Sequence, residues 1–151
     1  AKLRPYDLII VHYGLNVAVS GNPKNIIQNY ARNMGKVVAH LRQAFPETSI
    51  LVFSVPDHEQ RGADGIKTLK EVHALVAFQQ QMAADKKVGF YNFFQAMGGE
   101  GATRRLVERD MANKDYTHLS YGGGKYVADK IYPSFKAGLK NYQRRIKLES
   151  Q

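Results

Sequence analysis

The sequence predicts one α/β domain in which helices flank a parallel sheet. Three short apolar runs, at residues 8–11, 50–55 and 88–93, have the composition of parallel strands that are buried on both faces. Between these runs, apolar residues recur at three- and four-residue spacing, which indicates amphipathic helices. The resulting order β-α-β-α-β is typical of layered α/β folds with crossover connections. A chain of 151 residues has the length of one such domain.

The two helices between the strands are predicted from their apolar positions. Asn22-Pro23 is a favourable start for the first helix, because proline is tolerated in the first helical turn. Its recurring apolar residues are Ile26, Tyr30, Met34, Val37, Val38 and Leu41. The second helix is predicted over residues 69–84. The residues expected to face inward from it are Leu69, Val72, Leu75 and Met82.

The C-terminal third predicts a glycine-rich loop at residues 97–101, a short polar helix at 103–110 and a long last helix from about Gly122. The apolar residues of the last helix are Val127, Ile131, Phe135 and Leu139. Pro133 is expected to kink or restart this helix, because proline has no N–H to donate. We assign residues 1–142 to the domain and residues 143–151 to a basic polar tail. The basic residues Lys136, Lys140 and Arg144 share one face, where the helix dipole favours cations.

The first predicted strand is uniformly apolar and begins close to the start of the sequence. Such a strand makes a poor exposed edge, because its unpaired backbone groups would pair with other chains. We therefore expect strands from upstream of Ala1 to lie beside it.

Composition excludes several classes of site. The chain has no cysteine, which rules out a disulfide framework, a cysteine-ligated metal and a cysteine nucleophile. Its five histidines lack ligand spacing, and Gly122-Gly123-Gly124-Lys125 lacks the full pattern of a phosphate loop. We predict no metal ion and no organic cofactor. No apolar run is long enough to span a bilayer, and no signal peptide opens the sequence.

The net charge of +9 favours anionic partners such as acidic glycans, an envelope polymer or nucleic acid. An ordinary solvated surface explains the same charge more simply. The basic residues are dispersed and no nucleic-acid motif occurs, so the nine tyrosines and the charge alone do not predict a nucleic-acid partner.

Asp115-Tyr116-Thr117-His118 is the most informative segment for chemistry. An aspartate three residues before a histidine on one turn can direct its carboxylate at one imidazole nitrogen. The other nitrogen is then free to take a proton from a nucleophile, which is the base-and-orienter half of a hydrolytic triad. A surface histidine without a catalytic role is the simpler alternative.

Polar residues that follow the first two strands are expected at the same edge of the sheet, since function sits at the carboxyl ends of parallel strands. Asn16 follows the first strand after Gly14, which permits a tight exit. Its amide can stabilise an oxyanion, although capping a turn is a common alternative role. The segment at residues 54–58 follows the second strand, and Asp57-His58-Glu59 is expected to form a polar loop at this edge.

These motifs together resemble the C-terminal part of SGNH (GDSL-type) hydrolases. Tyr13-Gly14-Leu15-Asn16 resembles the block whose asparagine donates to the oxyanion, and Asp115-Tyr116-Thr117-His118-Leu119 resembles the block with the triad acid and base. Residues 53–57, 96–99 and 120–125 extend the resemblance, which covers residues 6 to 140. It implies a three-layer, flavodoxin-like α/β fold that lacks its N-terminal part here.

The departure from the family concerns the nucleophile, because the Gly-Asp-Ser block and the block with a glycine donor precede everything in this sequence. The six serines are Ser20, Ser49, Ser54, Ser120, Ser134 and Ser150, and none has the context of a nucleophile. The resemblance therefore implies that the serine lies in an upstream segment of the same protein.

The resemblance implies a carboxyl-ester hydrolase in which Asp115 and His118 belong to the triad and Asn16 donates to the oxyanion. Acetyl esters on glycans are the expected substrate class, because many bacterial members act on acylated carbohydrate, and a periplasmic or secreted location is expected. The alternative is an inactive module of the same fold that binds a glycan or polyanion. A nucleic-acid binder is the weakest alternative.

Overall fold

The computed structural model describes residues 6–149 and contains a three-stranded parallel sheet in the order β1-β2-β5. Its strands are β1 (Leu8–His12), β2 (Ser49–Phe53) and β5 (Gly89–Tyr91). In the register of the first pair, Ile10 lies opposite Leu51. The predicted α/β fold with a parallel sheet is confirmed. The first five residues of the predicted domain and the last two of the predicted tail, including Ser150, lie outside the described residues.

One face of the sheet is covered by α1 (Lys24–Ala44) and α2 (Lys70–Asp85), the two helices that the apolar spacing predicted. The residues buried between these helices and the sheet include Val11, Met34, Val38, Ile50, Val52, Met82 and Ala83. The prediction was wrong for Ile26 and Val37, which are exposed. Ile27 is buried instead of Ile26, while Val38, which was also predicted, is buried and its neighbour Val37 is not, since one residue corresponds to a rotation of about 100° around a helix.

The opposite face is covered by α3 (Phe93–Met97), α4 (Ala102–Val107) and α5 (Tyr121–Glu149). The residues buried in the core between these helices and the sheet are Phe53, Phe93, Met97, Ala102, Leu106, Ala112 and Val127. The predicted third strand was too long, because α3 begins where that strand was expected to end. The Asn92 side chain accepts a hydrogen bond from the Gln95 backbone N–H at 3.0 Å and caps α3.

Helix α5 continues unbroken through Pro133 to the last described residue, so the predicted restart at the proline was wrong. Proline has no N–H to donate to the carbonyl four residues before it. Pro133 is exposed, and water can therefore reach that carbonyl. Residues 143–149 of the predicted tail are thus the last turns of this helix. Within residues 6–149, no helix is both long enough and apolar enough to cross a membrane.

A β-hairpin stands at the carboxyl end of the sheet, where a polar loop was expected at residues 57–59. It consists of β3 (Glu59–Gly62) and β4 (Gly65–Thr68), which pair antiparallel. The two-residue turn at 63–64 is followed by Gly65, whose φ of 98° is a conformation that favours glycine. Both strands are too polar to show an apolar alternation, which is why the sequence did not predict them.

Gly123 holds the start of α5 against the loop before it, because a Cβ at this position would overlap the carbonyl oxygen of Met111. We expect Gly123→Ala to destabilise the fold by about 1–3 kcal/mol, the usual cost of overpacking. Gly124→Ala is the matched control, since no atom lies within 4 Å of its added Cβ. It should stabilise the helix by about 0.5–1 kcal/mol. Urea unfolding of both variants measures the difference, and equal free energies of unfolding would contradict the contact.

Candidate active site

The segment between α4 and α5 folds into a closed loop that presents Asp115 and His118. Ala112 and Leu119 form an antiparallel bridge at its base. Within the loop, the Asn113 N–H donates to the His118 carbonyl at 2.8 Å. The loop is therefore held at its base, directly before α5 begins.

Asp115 and His118 make the contact that their spacing predicted. His118 Nδ1 lies 2.8 Å from Asp115 Oδ2, while Asp115 Oδ1 accepts from the backbone N–H groups of Thr117 at 3.0 Å and His118 at 3.1 Å. The hydrogen bond from the His118 ring, followed by that from the His118 N–H, lowers the pKa of Asp115. The carboxylate is therefore ionised at neutral pH, and it orients the ring through Nδ1.

The opposite ring nitrogen, His118 Nε2, makes no hydrogen bond to any described residue. The side chains of His118 and Asp115 are 70% and 48% exposed. In this open arrangement Nε2 is accessible to a group that approaches from outside the described part of the chain. Such a nitrogen can act as a general base.

Asn16 lies at the exit of β1, in a 3₁₀ turn at Leu15–Val17. The turn follows Gly14, whose φ of 119° and ψ of −5° no L-residue adopts easily. Asn16 is exposed, and its side chain makes no hydrogen bond to a described residue. The amide therefore does not cap the turn, the alternative role considered from the sequence.

Further contacts anchor the chain after this turn. The Asn22 side chain donates to the Val17 carbonyl at 2.8 Å, and the Gly21 N–H donates to the buried Glu71 carboxylate at 3.0 Å. The first bond closes the segment on itself and the second ties it to α2, so the turn that carries Asn16 has a defined position.

The start of the hairpin joins the two candidate segments. His58 Nδ1 lies 3.2 Å from the carbonyl oxygen of Ala18, two residues after Asn16. The next residue, Glu59, donates its N–H to the Tyr116 carbonyl at 3.3 Å. The structure thus brings the Asn16 turn and the Asp115–His118 loop to the same edge of the sheet.

Two carboxylates beside this link are buried, whereas the sequence indicated an exposed polar loop. Asp57 accepts from the Thr68 hydroxyl at 2.7 Å and from the Thr103 N–H at 2.9 Å. Glu59 accepts from the Arg104 N–H. Both acids therefore bind the start of α4 and hold the hairpin in place. The only signal for this burial in the sequence is that Asp57 and Glu59 are two residues apart, because alternate residues of an extended chain share a face.

Burial raises the pKa of Glu59 above its ordinary value of 4.5. The folded protein then holds this proton to higher pH than the unfolded chain, so stability decreases as pH rises through the interval between the two pKa values. We expect Glu59→Gln to remove this decrease, because the amide does not titrate, while its oxygen still accepts from the Arg104 N–H.

The measurement is the melting temperature of both proteins from pH 4 to pH 8. Glu100→Gln is the control, since Glu100 is exposed beside the same helix. If the Glu59 variant keeps the slope of the parent protein above pH 4.5, burial of Glu59 does not cause it.

The serine with the most suggestive position, Ser54 at the end of β2, is fully buried. Its hydroxyl accepts from the Phe94 N–H at 3.1 Å and donates to the Val55 carbonyl at 3.2 Å. Ser120 is likewise bonded at the start of α5, to the Asp110 carbonyl and the Gly123 N–H. Neither hydroxyl contacts His118, so neither is placed as its nucleophile.

A trench runs along the hairpin beside the candidate site. Two cavities of about 360 and 410 Å³ share Ser20, Gln60, Arg61 and Leu69. The first reaches Asp115 and the second reaches Lys70. No metal-binding cluster of three or more histidine, cysteine, aspartate or glutamate side chains occurs in the described residues.

Comparison with known proteins finds the fold in solved structures. A structure described as "Peptidoglycan O-acetylesterase in action, 5 min" matches with a TM-score of 0.79 and 23% identity over 89% of this chain. The chain has the fold of the part of that structure that it matches. It spans 38% of the length of that protein. A second crystal structure matches with a TM-score of 0.62 and 14% identity, over 87% of this chain and 64% of its own. No family model and no curated protein matches the chain.

Proposed function

We propose that this chain is the part of an SGNH-type serine esterase that supplies the base and the orienting acid of the triad. His118 is the general base, Asp115 orients its ring, and Asn16 donates to the oxyanion. The observation that carries the proposal is the 2.8 Å contact between Asp115 Oδ2 and His118 Nδ1, which leaves Nε2 free at the edge of the sheet. The similarity in fold to an O-acetylesterase supports it.

In the proposed reaction, His118 Nε2 takes the proton of a serine hydroxyl while the serine oxygen attacks the ester carbonyl. The carbonyl oxygen becomes an oxyanion, to which the Asn16 amide donates. The imidazolium, stabilised by the Asp115 carboxylate, then gives its proton to the departing alcohol. Water, deprotonated by the same nitrogen, then adds to the acyl carbonyl. The serine oxygen leaves and takes the proton back from the imidazolium, which releases the carboxylic acid and restores the enzyme.

The serine is proposed to lie on an upstream segment of the same protein that pairs with β1. The outer edge of β1 has no partner strand among residues 6–149. On the face of the sheet that carries α5, Leu8 is 41% exposed and Ile10 is 48% exposed. A further strand and helix at this edge would cover both side chains and satisfy the free backbone groups of β1. The same arrangement, with the serine on an upstream segment, is supported by the exposure of Asp115 and His118 and by the burial and hydrogen bonds of Ser54.

The proposed substrate is an O-acetyl ester on an anionic glycan outside the cytoplasm. The trench beside Asp115 supports a substrate larger than the acetyl group, and polar side chains such as Ser20, Gln60 and Arg61 suit carbohydrate hydroxyls. Arg61 has no acidic partner among the described residues, and it offers a charge for an acidic sugar. The net charge of +9 supports the same class of substrate.

We expect Arg61→Ala to raise KM for an acidic O-acetylated glycan about tenfold, the usual effect of losing one charge-assisted hydrogen bond. Hydrolysis of a small neutral acetyl ester should not change, because it does not extend into the trench. Arg32→Ala, on α1, is the matched control. An equal change with both substrates would exclude Arg61 as a contact of the glycan.

The decisive test of the proposed function uses the protein that contains the upstream segment, treated with a fluorophosphonate probe and analysed by peptide mass spectrometry. Label on an upstream serine, lost when His118 is replaced by alanine, is the expected result. Label on a serine of the present chain would overturn the assignment of the nucleophile. An absence of label, with retained binding of the acetylated glycan, would instead identify an inactive binding module.

A further inference from the structure

The side chain of Gln79 is fully buried in the middle of α2, although glutamine is a polar residue. Its Oε1 accepts from the Val55 N–H at 2.9 Å, and its Nε2 donates to the Tyr13 carbonyl at 2.8 Å. Nε2 also lies 3.7 Å from the Met34 sulfur. A buried amide is stable only where its polar atoms are bonded, and both ends of this one are. The residue therefore joins the exit of β1 to the exit of β2.

The bond to Tyr13 acts at the point where the chain turns toward Asn16. The peptide between Tyr13 and Gly14 is planar, so a fixed carbonyl oxygen also fixes the direction of the Gly14 N–H. Gly14 then turns the chain with φ of 119°, and its own carbonyl accepts from the Val17 N–H at 3.0 Å. The orientation of the 3₁₀ turn thus depends on the peptide plane between Tyr13 and Gly14, which the hydrogen bond from Gln79 fixes.

Apolar contacts restrict the same turn from the other side. A Cβ added to Gly14 would lie 3.0 Å from Leu75, 3.1 Å from Tyr30 and 3.3 Å from Val55. The backbone therefore cannot move further into the core. Movement away from the core is opposed by the hydrogen bond from Gln79. Together, the apolar contacts and this bond leave one position for the turn.

We infer that Gln79 is a positioning residue for the oxyanion contact: by holding the Tyr13 carbonyl, it sets where the Asn16 amide points. The inference rests on the proposed function, in which Asn16 donates to the oxyanion. A glutamine that only stabilised the core would affect folding and leave the orientation of Asn16 unchanged. The two roles are therefore separable by experiment.

The test is a double-mutant cycle in the serine-containing protein, with Gln79→Met and Asn16→Ala measured singly and together on an acetyl ester. We expect Gln79→Met to lower kcat about tenfold with little change in KM, because the transition-state contact is misdirected. In the Asn16→Ala background the same change should alter kcat by less than about twofold, while it lowers the melting temperature equally in both backgrounds. Gln80→Met, one residue along and exposed, is the control.

Equal losses of kcat in both backgrounds would overturn the inference and leave Gln79 as a core residue. If Asn16→Ala alone leaves kcat unchanged, the oxyanion assignment itself fails, and the positioning role falls with it. These two results are distinguishable, because the second appears in the single Asn16 variant.

A second measurement covers the case in which Gln79→Met does not fold. Gln79→Glu keeps an acceptor for the Val55 N–H, and its ionised carboxylate has no donor for the Tyr13 carbonyl, so the spectra are recorded at a pH at which this carboxyl is ionised. In NMR spectra of this ¹⁵N-labelled variant, we expect the Asn16 side-chain amide and the Gly14 N–H to shift or broaden, with the Val55 N–H changed less. Unchanged Gly14 and Asn16 signals would overturn the inference without any activity measurement.

Discussion

Replacing His118 with alanine is expected to abolish ester hydrolysis by the serine-containing protein, with kcat lowered by a factor on the order of 10⁴ to 10⁶. The reason is that Nε2 is the atom proposed to take the serine proton, and no other described side chain bonds to the Asp115 carboxylate. KM should change little, since the ring contacts the substrate only through the reacting atoms. The measurement is steady-state hydrolysis of an acetyl ester.

Asp115→Asn tests the same assignment through the geometry of the ring. The amide retains the shape of the carboxylate but can donate to Nδ1, which favours the wrong tautomer of His118, and a loss of about 10⁴ in kcat is expected. His40→Ala is the control, because His40 is an exposed histidine on α1. Retained turnover in the His118 variant would exclude this residue as the base.

Asn16→Ala is expected to lower kcat by a factor of about 10² to 10³, which corresponds to roughly 3–4 kcal/mol of transition-state stabilisation. An oxyanion donor acts on charge that develops only in the transition state, so KM should remain nearly unchanged. The stability of the fold should not fall, because the Asn16 side chain makes no hydrogen bond to a described residue.

The control for this variant is Asn33→Ala, which removes an exposed asparagine from α1. Steady-state kinetics and a thermal unfolding curve of each protein are sufficient. An effect confined to KM would place Asn16 in substrate binding and would argue against an oxyanion role. A large drop in melting temperature would place it in the turn.

The strands and the long helices were predictable because their signals are local. A parallel strand that is buried on both faces is a short continuous apolar run, and an amphipathic helix repeats its apolar residues with the period of its backbone. The contact between Asp115 and His118 was predictable for the same reason, since a separation of three positions within one turn brings the two side chains together. The position of Asn16 at the exit of β1 followed from the order of the elements.

The residues that the sequence did not reveal depend on partners far along the chain. Gln79 bonds to residues 24 and 66 positions away, and Asp57 and Thr103 are 46 positions apart. In the sequence, Gln79 is one polar residue in a run of glutamines, and Asp57 and Glu59 are two acids in a polar segment. Their burial becomes visible only when the elements pack.

The sequence by itself thus determined the α/β class, the two long helices between the strands and the local pair of Asp115 and His118. The tertiary structure decided the hairpin, the short helix α3 and the link from Ala18 through His58 and Glu59 to Tyr116. The physical reason is the range of the interactions. Backbone periodicity acts within one or two turns of the chain, whereas the bonds that assemble the candidate site form only after distant segments have been brought together by burial of the core.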